Sequence, residues 1–68
     1  MENVKNLFKK GQKVKINITA VNGHGEGIGH IRYDDSYFTI FVPGGKKDET
    51  VTVEITQLHE TYLVGKKS

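Results

Sequence analysis

The residues most able to do chemistry stand in one stretch, GHGEGIGHI, where glycine occupies every second position from Gly23 to Gly29. Glycine-rich loops bring backbone N–H groups against a phosphate, so a nucleotide-binding enzyme is the first hypothesis. The dinucleotide-binding pattern needs a third glycine at a position that Ile28 or His30 occupies here. A Walker A loop would end in Gly-Lys-Ser/Thr, and this tripeptide is missing from the sequence. The sequence therefore argues against both kinds of phosphate-binding loop.

A structural role explains the same glycines better. A strand that bends at a barrel corner uses glycine where a Cβ atom would clash or where φ is positive. Gly25, Gly27 and Gly29 have the spacing for such a strand. We favour this interpretation. We also expect these glycines to clear side-chain bulk from one patch, so that a flat ligand can approach the backbone.

The histidines and carboxylates do not form a recognisable catalytic or metal site. His24, His30 and His59 lack the close pairing of zinc ligands, and the chain has no cysteine to assist them. Asp34-Asp35 and Asp48-Glu49 stand at turn-like positions, where solvation is expected rather than acid–base chemistry. Neither a cysteine nucleophile nor a serine in a His-Asp setting is available. We therefore predict no metal, no cofactor and no enzymatic activity.

Basic and aromatic residues together point to nucleic acid. The formal net charge of +2 suits an anionic partner, although ordinary solubilising charge explains it equally well. Proteins that bind single strands combine cations for the phosphates with aromatic rings for the bases. The middle of the chain supplies this mixture in His30, Arg32, Tyr33, Tyr37 and Phe38. Lysines at four positions are candidate phosphate contacts or simply solvated charges, namely Lys13, Lys15, Lys46 and Lys47.

The elements that must position these residues are short strands. Between Gln12 and Thr19, apolar and polar residues alternate with the period of two that marks a half-buried strand. Turn clusters such as Asp34-Asp35-Ser36 and Pro43-Gly44-Gly45 separate this segment and four similar ones. Five strands with little helix predict an all-β protein, a small barrel whose closure removes exposed edges. The predicted strands cover residues 12–19, 27–33, 37–42, 50–56 and 61–64.

The length of 68 residues predicts one domain over residues 1–68, with no room for a separate catalytic domain. Residues 1–10 could form a helical turn or remain extended. A helical turn would place Val4, Leu7 and Phe8 on one side, where they could cover the open end of the barrel. Residues 66–68 are expected to form a frayed basic tail. The chain shows neither a secretory signal nor a run of about 20 apolar residues. We expect a cytoplasmic monomer without membrane contact.

The run GQKVKINITAVNGHGEGIGHI, followed by FTIFVPGGKKDETVTVEITQL, resembles a TRAM domain. This small RNA-binding module accompanies tRNA- and rRNA-modifying enzymes and also occurs as a free-standing archaeal protein. The most specific pieces are G-x-G-I-G at Gly25 to Gly29 and F-V-P-G at Phe41 to Gly44. The resemblance covers roughly Lys9 to Gly65 and implies an OB-like five-stranded β-barrel.

Two departures from the family pattern stand out. The family usually has a small residue and then arginine after G-x-G-I, where this chain has Gly29 and His30. Arg32, two residues on and on the same strand face, could supply the charge. The hairpin from Arg32 to Tyr37 also looks several residues longer than usual, which would place Tyr33 and Tyr37 on a more prominent loop.

The resemblance extends the set of binding residues. Phe38 matches an aromatic of the family's binding hairpin, so we expect it on the surface. Phe41 adjoins the end of its strand at Val42-Pro43, and we expect it in the core. Tyr62 corresponds to an aromatic near the family's last strand, where it would either stack beside Phe38 or pack inside. These assignments complete the predicted RNA-binding set, which is His30, Arg32, Tyr33, Tyr37, Phe38, Lys46, Lys47, Tyr62, Lys13 and Lys15.

The predicted function is RNA binding, as an ATP-independent RNA chaperone that binds single strands with low sequence specificity. One alternative is an accessory protein that binds tRNA or rRNA for a separate modification enzyme. Another is a protein-interaction β-barrel whose basic charge is incidental. The resemblance suggests an archaeal source.

Overall fold

The fold is a closed five-stranded β-barrel, seen in a computed structural model that describes residues 3–68. The strands follow each other around the barrel in the order β1-β2-β3-β5-β4, and β3 and β5 are the one parallel pair. This confirms the predicted all-β barrel, and each strand begins within one residue of its predicted start. The elements are α1 Val4–Leu7, β1 Lys13–Val21, β2 Glu26–Tyr33, β3 Ser36–Pro43, β4 Thr50–Leu58 and β5 Tyr62–Lys67.

Alternate residues of the strands form the barrel interior, as the period of two predicts. On β1 the inward side chains Ile16 and Ile18 are buried, while Asn17 between them is exposed. The same alternation holds on the other strands, and each contributes aliphatic side chains to one shared core. The buried apolar residues are Val4, Phe8, Ile16, Ile18, Ile31, Ile40, Val42, Val53, Ile55 and Leu63.

The short helix α1 covers one end of the barrel. The Asn3 side chain caps it by accepting a hydrogen bond from the N–H of Lys5 at 2.9 Å. Val4 and Phe8 are buried, and the N–H of Val4 donates to the carbonyl of Glu60 at 3.1 Å. This segment thus packs two apolar residues into the core, and Met1 and Glu2 of the predicted cap segment 1–10 lie outside the described residues. Within residues 3–68 no helix has the length and apolar character needed to cross a bilayer.

The alternating glycines of β2 serve the fold. Gly25 has a φ of +77° in the turn before the strand, a conformation that favours glycine. A Cβ atom on Gly27 would lie 2.9 Å from the Cα atom of Gly45, and one on Gly29 would lie 2.8 Å from the carbonyl oxygen of Asn17. The structural interpretation is confirmed. The expected space for a ligand is wrong for Gly27 and Gly29, which are buried and face the interior, whereas Gly25 is exposed.

The predicted frayed tail is wrong as well. Strand β5 continues to Lys67, pairing Lys66 with Glu54 and Lys67 with Val53 on β4. The Nζ atom of Lys67 lies 3.0 Å from a carboxylate oxygen of Glu49, and the N–H of Ser68 donates to the carbonyl of Thr52. The terminus is ordered because β4 needs a hydrogen-bonding partner along this stretch to close the barrel.

Candidate nucleic-acid interface

The outer face of strands β2, β3 and β5 carries four of the ten predicted binding residues, His30, Arg32, Tyr37 and Tyr62. Strand register shows which side chains share this face, because paired residues point to the same side of a sheet. Arg32 pairs with Tyr37, and His30 pairs with Thr39. Thr39 pairs in turn with Tyr62 of β5. We call this surface the outer sheet face, formed by Ile28, His30, Arg32, Tyr37, Thr39, Phe41, Tyr62 and Val64.

An open groove of about 640 Å³ crosses the outer sheet face. Its lining includes three half-buried rings, from Phe41, His59 and Tyr62, which we call the aromatic cluster. The Phe41 and Tyr62 rings meet edge to face, with centroids 5.6 Å apart. The His59 imidazole stacks on the Tyr62 ring at 4.3 Å, with 12° between the planes. Such a cluster offers a platform for unpaired bases, whose π faces all stack on aromatic rings.

Local backbone structure holds the aromatic cluster in place. The N–H of His59 donates to the carbonyl of Tyr62 at 3.0 Å and closes the link between β4 and β5. A bulge between Ile55 and Gln57 shifts the register of β4 and pairs Gln57 with Val64 of the outer sheet face. The side-chain oxygen of Gln57 then lies 3.1 Å from Nε2 of His59. The imidazole is thereby tied at one edge while its ring lies against Tyr62.

A polar pair forms part of the groove lining. The side-chain oxygen of Asn22 accepts the backbone N–H groups of His24 at 2.9 Å and Glu26 at 3.1 Å. The amide nitrogen of Asn22 donates to the Glu26 carboxylate at 2.9 Å. A turn residue thus fixes both a backbone bend and the orientation of a carboxylate in the groove.

The structure reverses the expected orientations of two phenylalanines. Phe38 lies on the inward side of β3, half-buried, and packs against the core with its ring edge-on to Phe8 at 6.0 Å. Phe41 lies on the outer sheet face and lines the groove. The expected surface position of Phe38 and core position of Phe41 are therefore wrong. Ile40 and Val42 are buried, and side chains alternate between the two sides of a strand. Phe38 therefore points inward and Phe41 points outward. Tyr62 consequently contacts Phe41 instead of Phe38.

The β2–β3 hairpin is regular almost to its tip. Strand pairing reaches Tyr33 and Ser36, so Tyr33 and Tyr37 lie on strands and the expected prominent loop is wrong. Tyr37 is 67% exposed, whereas Tyr33 packs edge-on against Phe8 at 5.7 Å. The guanidinium of Arg32 donates to the carbonyl of Asp34 at 3.0 Å, which holds the arginine beside the turn. Its predicted position on the same face as His30 is confirmed.

The four candidate lysines lie away from the groove lining. Lys13 and Lys15 are exposed on β1, where they pair with Glu54 and Thr52 of β4. Strand β1 does not neighbour β3 or β5, so these two lysines lie on another side of the barrel. Lys46 and Lys47 are exposed on the loop between β3 and β4.

The loop that carries Lys46 and Lys47 is attached to the barrel by hydrogen bonds. The N–H of Asp48 donates to the carbonyl of Ile18 at 2.7 Å, and the N–H of Lys46 donates to the Glu49 carboxylate at 3.1 Å. The pKa of Glu49 is lowered below its ordinary value. The hydrogen bond from the Lys46 N–H is the largest cause, and the hydrogen bond from the Lys67 side chain is the second. The loop therefore presents its two lysines from a defined position.

Of the nine residues that line the groove, the sequence predicted only Tyr62 as a binding residue and placed Phe41 in the core. The unpredicted lining residues are Asn22, Glu26, Thr39, Gln57, His59, Thr61 and Val64. For Phe41 the signal was present, because Ile40 and Val42 mark the inward side of YFTIFV. For Gln57, the bulge in β4 changes which side of the strand the residue faces, and no residue in the sequence predicts this bulge. Asn22 and Glu26 meet through side-chain hydrogen bonds that depend on the exact bend of the turn.

A closed five-stranded barrel with an aromatic groove on its outer face belongs to the class of small OB-like barrels. The family model of the TRAM domain matches residues 4–67. The chain belongs to the TRAM domain family. TRAM domains bind RNA, so RNA is the class of partner that family membership supports.

Known relatives carry the domain in larger proteins. The chain is 40% identical over 60 residues to an uncharacterized RNA methyltransferase of Caldanaerobacter subterraneus subsp. tengcongensis, covering 88% of this chain but 12% of that protein. It is 36% identical over 58 residues to translation initiation factor 2 subunit beta of Thermoplasma acidophilum, covering 85% of this chain and 26% of that protein. The solution structure of a conserved Methanococcus maripaludis protein superposes with a TM-score of 0.71 at 25% identity, covering 87% of this chain and 79% of that one.

Proposed function

We propose that this protein binds unpaired RNA on its outer sheet face and acts as an RNA chaperone without ATP. The observation that carries the proposal is the aromatic cluster of Phe41, His59 and Tyr62, which lines an open groove instead of packing in the core. Stacking of a base on an aromatic side chain is worth about 1–3 kcal/mol. Two bases stacked in this groove would therefore contribute about 2–6 kcal/mol in favour of the open strand of a weak hairpin.

Basic residues outside the groove lining support contact with the phosphate backbone. His30 and Arg32 lie on β2 at one side of the aromatic residues, and both are exposed. Lys46 and Lys47 lie beyond the end of β3 on a fastened loop. Phosphate contacts from Arg32 and the two lysines add affinity without reading sequence, and the His30 ring can add a hydrogen bond. Together with stacking, they give a binding mode with weak sequence preference.

The proposed mechanism is a shift of equilibrium. An RNA hairpin opens transiently, and a protein that binds only the open strand raises its population by its differential affinity for the two states. No nucleotide hydrolysis enters, and no covalent step is assigned to any residue. In this proposal the protein works as a cytoplasmic monomer, and light scattering after gel filtration tests the oligomeric state.

A second candidate is an accessory protein that binds tRNA or rRNA for a separate modification enzyme. The observation that favours it is the occurrence of the domain within proteins named as RNA methyltransferases, where the matched region is 12% of the length. Affinity purification from the native cells separates the two candidates. A stoichiometric modification enzyme in the eluate supports the accessory role, whereas RNA alone supports the chaperone.

The test of the proposal is fluorescence anisotropy with labelled single-stranded RNA, single-stranded DNA and duplex RNA over a salt series. We expect single-stranded RNA to bind best, with affinity falling as salt rises because phosphate contacts release counterions. A hairpin carrying a fluorophore and a quencher should then open on addition of protein without ATP. Absence of binding to all three probes at low salt would overturn the proposal and favour a protein-interaction barrel.

A further inference from the structure

The groove on the outer sheet face contains a carboxylate that neither stacking nor phosphate binding explains. Glu26 is half-buried and lines the groove together with Phe41 and Tyr62. A carboxylate repels phosphate, so its presence disfavours an RNA backbone inside the groove. It is also a pure hydrogen-bond acceptor, and it suits a ligand edge that presents N–H donors. The ligand that has both a flat face and such an edge is a nucleobase.

Glu26 is held in place for such a contact. The Asn22 amide nitrogen donates to Oε1 of Glu26 at 2.9 Å, while the Asn22 oxygen is anchored by two backbone N–H groups. This chain of hydrogen bonds orients the carboxylate before any ligand arrives. Since Oε1 has a second lone pair and Oε2 makes no hydrogen bond within residues 3–68, both oxygens retain the capacity to accept.

Guanine is the base whose edge fits a fixed carboxylate. Its N1–H and its 2-amino group are adjacent donors, so the two oxygens of one carboxylate can accept both. Adenine and cytosine each present one amino group beside an acceptor nitrogen, which would face a carboxylate oxygen repulsively. Uracil has one N–H between two carbonyl oxygens. Proteins read unpaired bases on these edges while stacking them on aromatic side chains.

We propose that the groove is a guanine subsite, in which a base stacked on the aromatic cluster donates from its Watson–Crick edge to the Glu26 carboxylate. This inference rests on the proposed binding of unpaired RNA. One guanine-selective subsite, beside contacts that do not distinguish the bases, is compatible with weak overall sequence preference. The groove volume of about 640 Å³ lies in the usual range of ligand sites, about 300–1,000 Å³.

The test uses labelled oligouridine probes that differ in one central base, which is guanine, adenine, cytosine, uracil or hypoxanthine. Hypoxanthine keeps the N1–H and lacks the 2-amino group. We expect the guanine probe to bind about tenfold more tightly than the adenine, cytosine and uracil probes, as for one bidentate contact. The hypoxanthine probe should lie between. This arm needs no altered protein, so misfolding cannot obscure it.

A matched pair of variants assigns the preference to a residue. Glu26→Gln should bring the guanine and adenine probes within about twofold of each other, because the bidentate acceptor is lost. Glu54→Gln removes the same charge from β4, opposite Lys13 and Lys66, and should leave the guanine preference intact. Equal affinities of all probes for the unaltered protein would overturn the subsite and leave RNA binding standing. A guanine preference that survives Glu26→Gln would also overturn it, whereas failure of every probe to bind would overturn the proposed function itself.

Discussion

The two sides of the β2–β3 hairpin carry similar residues in different roles. On the inner side, Gly27 and Gly29 let neighbouring backbone come close, and Phe38 packs towards Phe8. On the outer side, Phe41 lines an open groove, where its ring and the Tyr62 ring meet edge to face. Position along the strand, and not residue type, separates an aromatic residue that packs against the core from one that lines the groove. The side of the strand on which an aromatic residue lies must therefore be known before that residue is proposed as an RNA contact.

The largest expected effect comes from the inner side. Phe8→Ala removes the buried ring that Phe38 and Tyr33 contact, so the free energy of unfolding should fall by about 3 kcal/mol. In a domain of this size, that loss corresponds to a Tm lower by roughly 10–25 °C. Thermal unfolding followed by circular dichroism measures it. Tyr37→Ala, at an exposed outer position, is the control, and an equal loss of stability in both variants would break the comparison.

A smaller effect is expected from a single methyl group on the inner side. Gly29→Ala would place a Cβ atom 2.8 Å from the Asn17 carbonyl oxygen, so we expect a loss of about 2 kcal/mol in stability from overpacking. Gly23→Ala is the matched control, because nothing lies within 4 Å of its Cβ position. Chemical denaturation of both variants gives the two values. If Gly29→Ala were as stable as Gly23→Ala, the close packing of β2 against β1 would not be a requirement of the fold.

On the outer side, charge removal should change affinity without changing stability. Lys46→Ala and Lys47→Ala should each weaken RNA binding and reduce the salt slope by about 1, the signature of one lost phosphate contact. Anisotropy titrations at several salt concentrations give the slope. Lys5→Ala on α1 serves as the control, and an identical slope in all three variants would show that the loop lysines are only solvated charges.

The smallest effect is expected where the loop between β3 and β4 contacts the barrel. The pKa of Glu49 is lowered by the backbone N–H of Lys46 and the side chain of Lys67, so the charged form stabilises the fold. This contribution is present above the ordinary glutamate pKa and is lost as pH falls through the lowered one. Glu49→Gln should therefore flatten the fall in stability as the pH drops from neutral through the lowered pKa of Glu49. Unchanged pH dependence would mean that the carboxylate contributes nothing there.

Most of the fold follows from local sequence pattern. The alternation in QKVKINIT and the turn residues at Asp34 and Pro43 determine where strands begin and end. The sequence could not give the bulge in β4 or the parallel pairing of β3 with β5, because both depend on how the barrel closes. The continuation of β5 through Lys66 and Lys67 has the same origin, since polar residues pair there with a partner strand.

The candidate site was less predictable than the fold. His30, Arg32, Tyr37 and Tyr62 do share one face, which strand alternation and the family pattern together anticipate. Lys13 and Lys15 do not share that face, because the order of strands around a barrel is not written in any local pattern. The stacking of His59 on Tyr62 depends on a short link whose conformation only the complete fold defines.

The most direct test of the account compares Tyr62→Ala with Phe38→Leu in binding to single-stranded RNA. Tyr62 lines the groove on the outer side, and Phe38 packs towards the core on the inner side. We predict that Tyr62→Ala weakens the binding free energy by the contribution of one stacked base, about 1–3 kcal/mol, while the barrel stays folded. Phe38→Leu should lower the Tm and leave the affinity of the folded protein near its original value. Full affinity in Tyr62→Ala, with a large loss in folded Phe38→Leu, would contradict the account and move the binding site to the α1 end of the barrel.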